Sequence, residues 1–133
     1  MENFIVGLMA FYFFYIIALG LWMFKLRYRA AKNGTLDPKY FKDYQKEIPR
    51  DIKVAENHYH NQFQMPLLFY MACITGLILK KVTLIFCILA GVFVITRLIH
   101  SYVHLGRNKV LRRAFWFFIG GFIVGFMWIS LLV

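Results

Sequence analysis

Arg97, His100 and His104 recur at i, i+3 and i+7 in an otherwise apolar stretch, with Ser101 and Asn108 close to the same stripe. On a helix this spacing places a guanidinium and two imidazoles on one face. A second set, Asn57, Asn61 and Gln64, follows i, i+4 and i+7, with His60 bordering it. Arginine presents a planar fork of donors suited to carboxylates and stays charged when half buried. Amide side chains add paired donors and acceptors for a peptide-like ligand. Together these groups suit a small, anionic, amide-bearing molecule. The structural alternative is that they satisfy one another and fasten the helices.

The imidazoles raise a second chemistry. His100 and His104 stand at the i, i+4 spacing of a shared metal, and His58-Tyr59-His60 adds two more rings. Paired histidines on facing helices also ligate haem. Yet no carboxylate or thiolate joins them. Glu56 lies a full turn further out, Cys73 and Cys87 sit in apolar runs, and Arg97 within a turn of His100 repels a cation. The expectation is therefore no metal ligand, and cysteines that act as small hydrophobes.

The chain that must position these residues has 133 of them, 61% hydrophobic and only 17% charged, with a mean hydropathy of +0.60. Soluble domains average about 45–50% apolar and about 25% charged. So much apolar surface has no place in one small water-soluble core, which excludes disorder, a disulfide scaffold and an ordinary soluble enzyme. The net charge of +10 would suggest nucleic acid in a soluble chain. Here the bases lie between or at the ends of apolar runs, as cytoplasmic charge does in a membrane protein, so no nucleic-acid partner is expected.

Phe4 to Phe24 is an uncharged run of 21 residues, long enough to cross about 30 Å of hydrocarbon. It lacks a basic leader, so it reads as a retained span rather than a signal peptide. Further apolar runs occupy Met65–Leu79, Val82–Thr96 and Ala114–Val133. The middle two reach full length only by including their polar turns, 56–64 and 97–104. Polar residues at membrane depth should face the bundle interior or a wet cavity. The short Lys80-Lys81 connection makes these spans neighbours, so the two polar stripes are expected to face each other at one end. The reading is all-α, an integral membrane four-helix bundle with helices over about 3–27, 54–79, 82–106 and 110–133. A loop over about 28–53 carries Tyr40, Phe41 and Tyr44, residues suited to the headgroups. Nine Lys/Arg between Lys25 and Lys53 and four from Arg107 to Arg113, against two in the middle turn, put those two loops in the cytoplasm and both termini outside. Gly91, Gly120, Gly121 and Gly125 allow close helix approach.

Asn61-Gln62-Phe63-Gln64-Met65-Pro66-Leu67-Leu68-Phe69-Tyr70 resembles the second-helix signature of the MAPEG family (membrane-associated proteins in eicosanoid and glutathione metabolism). Arg97-Leu98-Ile99-His100-Ser101-Tyr102-Val103-His104-Leu105-Gly106, running on to Arg113, resembles its third-helix signature. The likeness spans essentially the whole chain and is nearest a bacterial branch. It implies a homotrimer in the bacterial inner membrane, surrounded by lipids, with glutathione as co-substrate between subunits near the cytoplasmic face. It further implies that Arg113, with Arg112 as the rival one position before it, holds the glutathione thiolate for attack on a hydrophobic electrophile or hydroperoxide. Arg97, His100, His104 and Asn61 fall on glutathione-contacting positions, and Gln64 stands where the family has a glutamate for the glutathione ammonium. Lys25 and Arg27 match a basic pair near its carboxylate region. Asn57 stands where arginine is common, and Ala114 and Phe117 replace the Ser and Tyr of some prostaglandin-forming members, which points away from that chemistry. The resemblance leaves two readings open: a glutathione- or thiol-dependent transferase or peroxidase, and a non-catalytic lipid-binding or scaffolding member.

Overall fold

The computed structural model describes residues 1–37, 39–40, 48–106 and 110–133. Among them there are five helices and no strands: α1 (Glu2–Lys32), α2 (Arg50–Asn61), α3 (Met65–Ile78), α4 (Leu84–Leu105) and α5 (Val110–Leu132). α1, α4 and α5 are each long and apolar enough to cross a membrane. α2 and α3 are consecutive pieces of one further rod, and the four rods form an all-helical membrane bundle. At 31 residues α1 is about 46 Å long, so its basic last turns project beyond its apolar run. It ends at Lys32 rather than near 27, and turns at Gly34, whose φ of 72° suits a residue without Cβ.

The single helix expected over about 54–79 starts at Arg50 and is broken at 62–64. Pro66 lacks an N–H and disfavours helical geometry in the residue before it. The chain therefore tightens into i→i+3 bonds ahead of it, Gln62 N to Tyr59 O at 3.0 Å and Phe63 N to His60 O at 3.0 Å. It restarts with Pro66 in the first turn of α3, where a missing donor is harmless. α4 opens cleanly after the short turn, because the Thr83 hydroxyl accepts the Phe86 N–H at 3.2 Å.

The core is aromatic at its centre. Phe69 of α3 and Phe93 of α4 stack with centroids 4.5 Å apart, and Tyr12 of α1 meets both at 6.4 Å. Ile5, Ala72, Phe86, Ala90, Met127 and Leu131 close the outer half. The closest helix pair is α4 with α5, and Gly120 is buried at that contact. A Cβ on Gly120 would stand 3.7 Å from Arg97 Cδ, so the glycine seats α5 against the arginine stem. Gly91 and Gly125, also expected to bring helices together, meet nothing within 4 Å. Outward faces are apolar, for example Phe14, Leu21, Ile78, Leu84 and Phe122, as lipid requires.

A satellite cluster of Leu36, Tyr40 and Ile52 closes the basic end. Tyr40 is buried there, and its hydroxyl donates to Glu56 Oε2 at 3.2 Å. It is thus a loop anchor and not a headgroup contact. Phe41 and Tyr44 lie outside the described residues.

Candidate functional site

α4 carries Arg97, His100, Ser101 and His104 into the bundle, each buried. Arg97 is the largest fully enclosed side chain, at 0% exposure. It lies eight residues inside the end of α4 at Leu105, about 12 Å of helix rise. The face of α2 that meets this stripe is not Asn57, Asn61 and Gln64. Asn57 and Gln64 are exposed, as is His60, and Asn61 is partly so. The inward residues are His58 and Gln62, each at 1% exposure. The second rod is thus rotated by about one residue from the expected orientation, and the amide stripe lies on the outer surface.

The enclosed network has a definite polarity. Gln62 Nε2 donates to the His58 carbonyl at 3.2 Å and bonds His58 Nε2 at 3.1 Å, while its Oε1 accepts the Tyr12 hydroxyl at 2.6 Å. A carbonyl only accepts, so the amide orientation is fixed, and His58 Nε2 must be the acceptor. Its proton is therefore on Nδ1. Arg113 Nη1, a pure donor, faces His104 Nε2 at 3.3 Å, which places the His104 proton on Nδ1 as well. His100 Nδ1 faces the Arg113 carbonyl at 3.2 Å and so carries its proton there, leaving a lone pair on Nε2. The three imidazoles lie against one another, with centroids 4.9 to 6.0 Å apart.

All the buried side-chain nitrogens and oxygens without a hydrogen-bond partner among the described residues belong to this cluster. They are Arg97 Nε, Nη1 and Nη2, His58 Nδ1, His100 Nε2, His104 Nδ1 and Ser101 Oγ. The Arg97 guanidinium lies 5.7 Å from the Phe117 ring centroid, a contact worth up to about 2 kcal/mol. Enclosing an unpaired ion costs several kcal/mol, so the ring does not compensate for it. The same atoms do not suit a cation. Two of the three free imidazole nitrogens carry protons, and no group of His, Cys, Asp or Glu among the described residues is placed to hold a metal ion.

The remaining expected residues lie at the same end. Arg113 is half-buried at the start of α5, against His104 and His100. Lys25 is exposed on α1. Arg27 is held by Glu56, whose Oε1 accepts from its Nε at 2.9 Å and also from Nη2. Beside them a cavity of about 570 Å³ opens between α1, α2 and the end of α4, walled by Trp22, Leu26, Val54 and Leu105, with Arg50 and Asp51 also lining it. Asn108 lies outside the described residues. The structure thus brings Arg97, His100, His104 and Arg113 together and leaves Asn61, Gln64 and Lys25 on the outside. Tyr12, His58 and Gln62 complete the inner network. The i, i+4 pairing of His58 with Gln62 was their sequence signal, whereas nothing marked Tyr12 within an uncharged run.

The MAPEG family profile matches residues 5–133. The comparisons with curated proteins and with solved structures gave no match.

Proposed function

Because this chain belongs to the MAPEG family, whose members include glutathione-dependent transferases and peroxidases as well as non-catalytic proteins, we propose that it is a membrane-bound, glutathione- or thiol-dependent transferase or peroxidase for hydrophobic electrophiles. The observation that carries this reading is Arg113. It stands half-buried at one end of the bundle, with one nitrogen anchored on the His104 ring and the donor-rich interior behind it. A guanidinium there favours the thiolate over the thiol, and a thiolate is the nucleophile for transfer. In a conjugation the sulfur forms a bond to an electrophilic carbon, and the leaving group departs with the bonding pair. In a peroxide reduction two thiols become one disulfide while the hydroperoxide becomes an alcohol and water.

The peptide portion falls to groups on both sides of α2. Asn61 and Gln64 face outward, so in the proposed homotrimer they serve a site shared with an adjacent subunit, together with the exposed Lys25. Arg27, bound to Glu56, supports that end of α1 and adds its charge to it. Arg97, His100 and His104 form the inner wall. The hydrophobic substrate enters from the lipid, and the cavity beside Trp22 and Leu105 offers it an apolar wall at this end. The proposed setting is the bacterial inner membrane, with this end cytoplasmic.

A second reading, lipid binding without chemistry, draws on a groove of about 530 Å³ between α1 and α4 lined by Phe4, Cys87, Ile88 and Val92. A thermal-shift titration of detergent-purified protein with glutathione and S-hexylglutathione separates the two, combined with the ultraviolet thiolate absorbance of bound glutathione. The transferase reading expects saturable stabilisation in the wild type, and thiolate absorbance that Arg113→Met abolishes while S-hexylglutathione still binds. No shift at millimolar ligand refutes it in favour of the lipid reading.

A further inference from the structure

We propose that the interior of the bundle holds a small anion, a halide or a single carboxylate-like oxyanion, bound by Arg97, His58, His104 and Ser101. The site is separate from the outward amides of α2, which lie on the opposite side of that helix from His58 and Gln62.

Charge is the first argument. Arg97 is a permanent cation at 0% exposure with all three guanidinium nitrogens unpartnered. Among the described residues no carboxylate is free to approach it. Glu56 is committed to Arg27 and Tyr40, and Glu2, Asp37 and Asp51 are exposed. Tyr12 and Tyr15 place their hydroxyls beside Arg97 and Ser101, but a neutral phenol supplies no counter-charge. A guanidinium this deep in a membrane bundle requires a counter-charge.

Polarity is the second argument, and it is independent. The hydrogen bonds that fix the three imidazoles leave N–H groups on His58 Nδ1 and His104 Nδ1 unpartnered inside the bundle. With the three Arg97 nitrogens, the buried unpartnered donors on α2 and α4 outnumber the acceptors, His100 Nε2 and the Ser101 oxygen. Donors in excess around a cation describe an anion site and exclude a metal. The three rings pack on one another, with centroids 4.9 to 6.0 Å apart, so only a small ion fits beside them. Gln62 and Arg113 orient the donors from outside the contact shell: Gln62 holds the His58 proton on Nδ1, and Arg113 does the same for His104.

One negative charge of this kind has two sources, a free ion or the carboxylate end of a bound peptide. The test uses bromide as the probe, on intact oligomer purified in gluconate buffer. Wild type should show a saturable rise in Tm with bromide, and crystals grown in bromide should show an anomalous peak among Arg97, His58 and His104. Arg97→Met, which keeps the stem volume, should lose the saturable shift. Glutathione that expels bromide assigns the position to a peptide carboxylate, and bromide retained beside bound glutathione assigns it to a free ion. Either result upholds the anion site. Bromide binding in a protein indifferent to glutathione upholds it too, while removing the thiol reading. The inference is overturned if the anomalous map is empty there at saturating bromide, a result that needs no variant, or if wild type and Arg97→Met respond to bromide alike.

Discussion

Replacing Gln62 with leucine removes the hub that joins α1 to the break between α2 and α3. The side chain is 1% exposed and makes three contacts, to the Tyr12 hydroxyl at 2.6 Å, His58 Nε2 at 3.1 Å and the His58 carbonyl at 3.2 Å. Leucine leaves the Tyr12 hydroxyl and His58 Nε2 enclosed without that partner, at about 1–3 kcal/mol each. Against this, a buried leucine gains about 1.5–3 kcal/mol of apolar transfer. The net expectation is a loss of about 1–3 kcal/mol. Tyr12→Phe alone strands the Gln62 oxygen, with a loss of about 1–2 kcal/mol. The double variant strands neither member of that pair, so its loss should fall short of the sum by about 1–2 kcal/mol. The assay is a double-mutant cycle from reversible unfolding in mixed SDS and dodecylmaltoside micelles, followed by tryptophan fluorescence. Additivity within about 0.5 kcal/mol would refute the reasoning, because it would mean that the tyrosine and the glutamine do not depend on each other.

Other positions give independent checks. Glu56→Ala removes the carboxylate that Arg27 and Tyr40 share and should cost about 2–3 kcal/mol, toward the low end for a buried pair because Arg27 and Glu56 retain some exposure. The same unfolding assay should show Arg27→Met/Glu56→Met less damaged than the two single losses combined. Gly76→Ala brings a Cβ to 3.1 Å from the Phe86 ring and should destabilise by about 1–3 kcal/mol. Gly91→Ala enters open space and should leave the unfolding midpoint unchanged or slightly raised. Thr83→Ala removes the cap of α4 and should cost about 1 kcal/mol, visible as earlier hydrogen exchange of the Phe86 amide.

Why some of this was legible and some was not follows from what each signal measures. The long uncharged runs of α1 and α5 declare themselves by length alone, and the i, i+3, i+7 stripe of α4 could face only inward, since lipid covers the rest of that helix. On α2 the sequence offers two polar faces about 100° apart, Asn57-Asn61-Gln64 and His58-Gln62. Periodicity states that each is a face without choosing which one is buried. That choice rests on Tyr12, whose hydroxyl selects Gln62 from across the bundle, a long-range contact with no local signature. Tyr40 posed the same difficulty. An aromatic ring in a basic loop suits headgroups, and only the position of Glu56, sixteen residues on, draws it inside. Pro66 was visible as a residue that ends or begins helices, yet the apolar run Met65–Leu79 is too short to cross without the polar turn before it, so the two read as one rod.

The break in the second rod also bears on how the chain enters a membrane at all. Met65–Ile78 has 14 residues, about 21 Å of rise, short of the roughly 30 Å of a hydrocarbon slab. The 12 residues before it, Arg50–Asn61, carry charges that a solitary helix would not take into lipid. Among the described residues three helices are long and apolar enough to cross, and an odd number of crossings sends the two ends of the chain to opposite sides. A crossing by the half-polar rod makes four and restores the even parity that the distribution of Lys and Arg calls for. During biogenesis it is therefore the segment least able to partition alone, and it must be received by helices already in place, with Tyr12 presenting from α1 the hydroxyl that Gln62 requires.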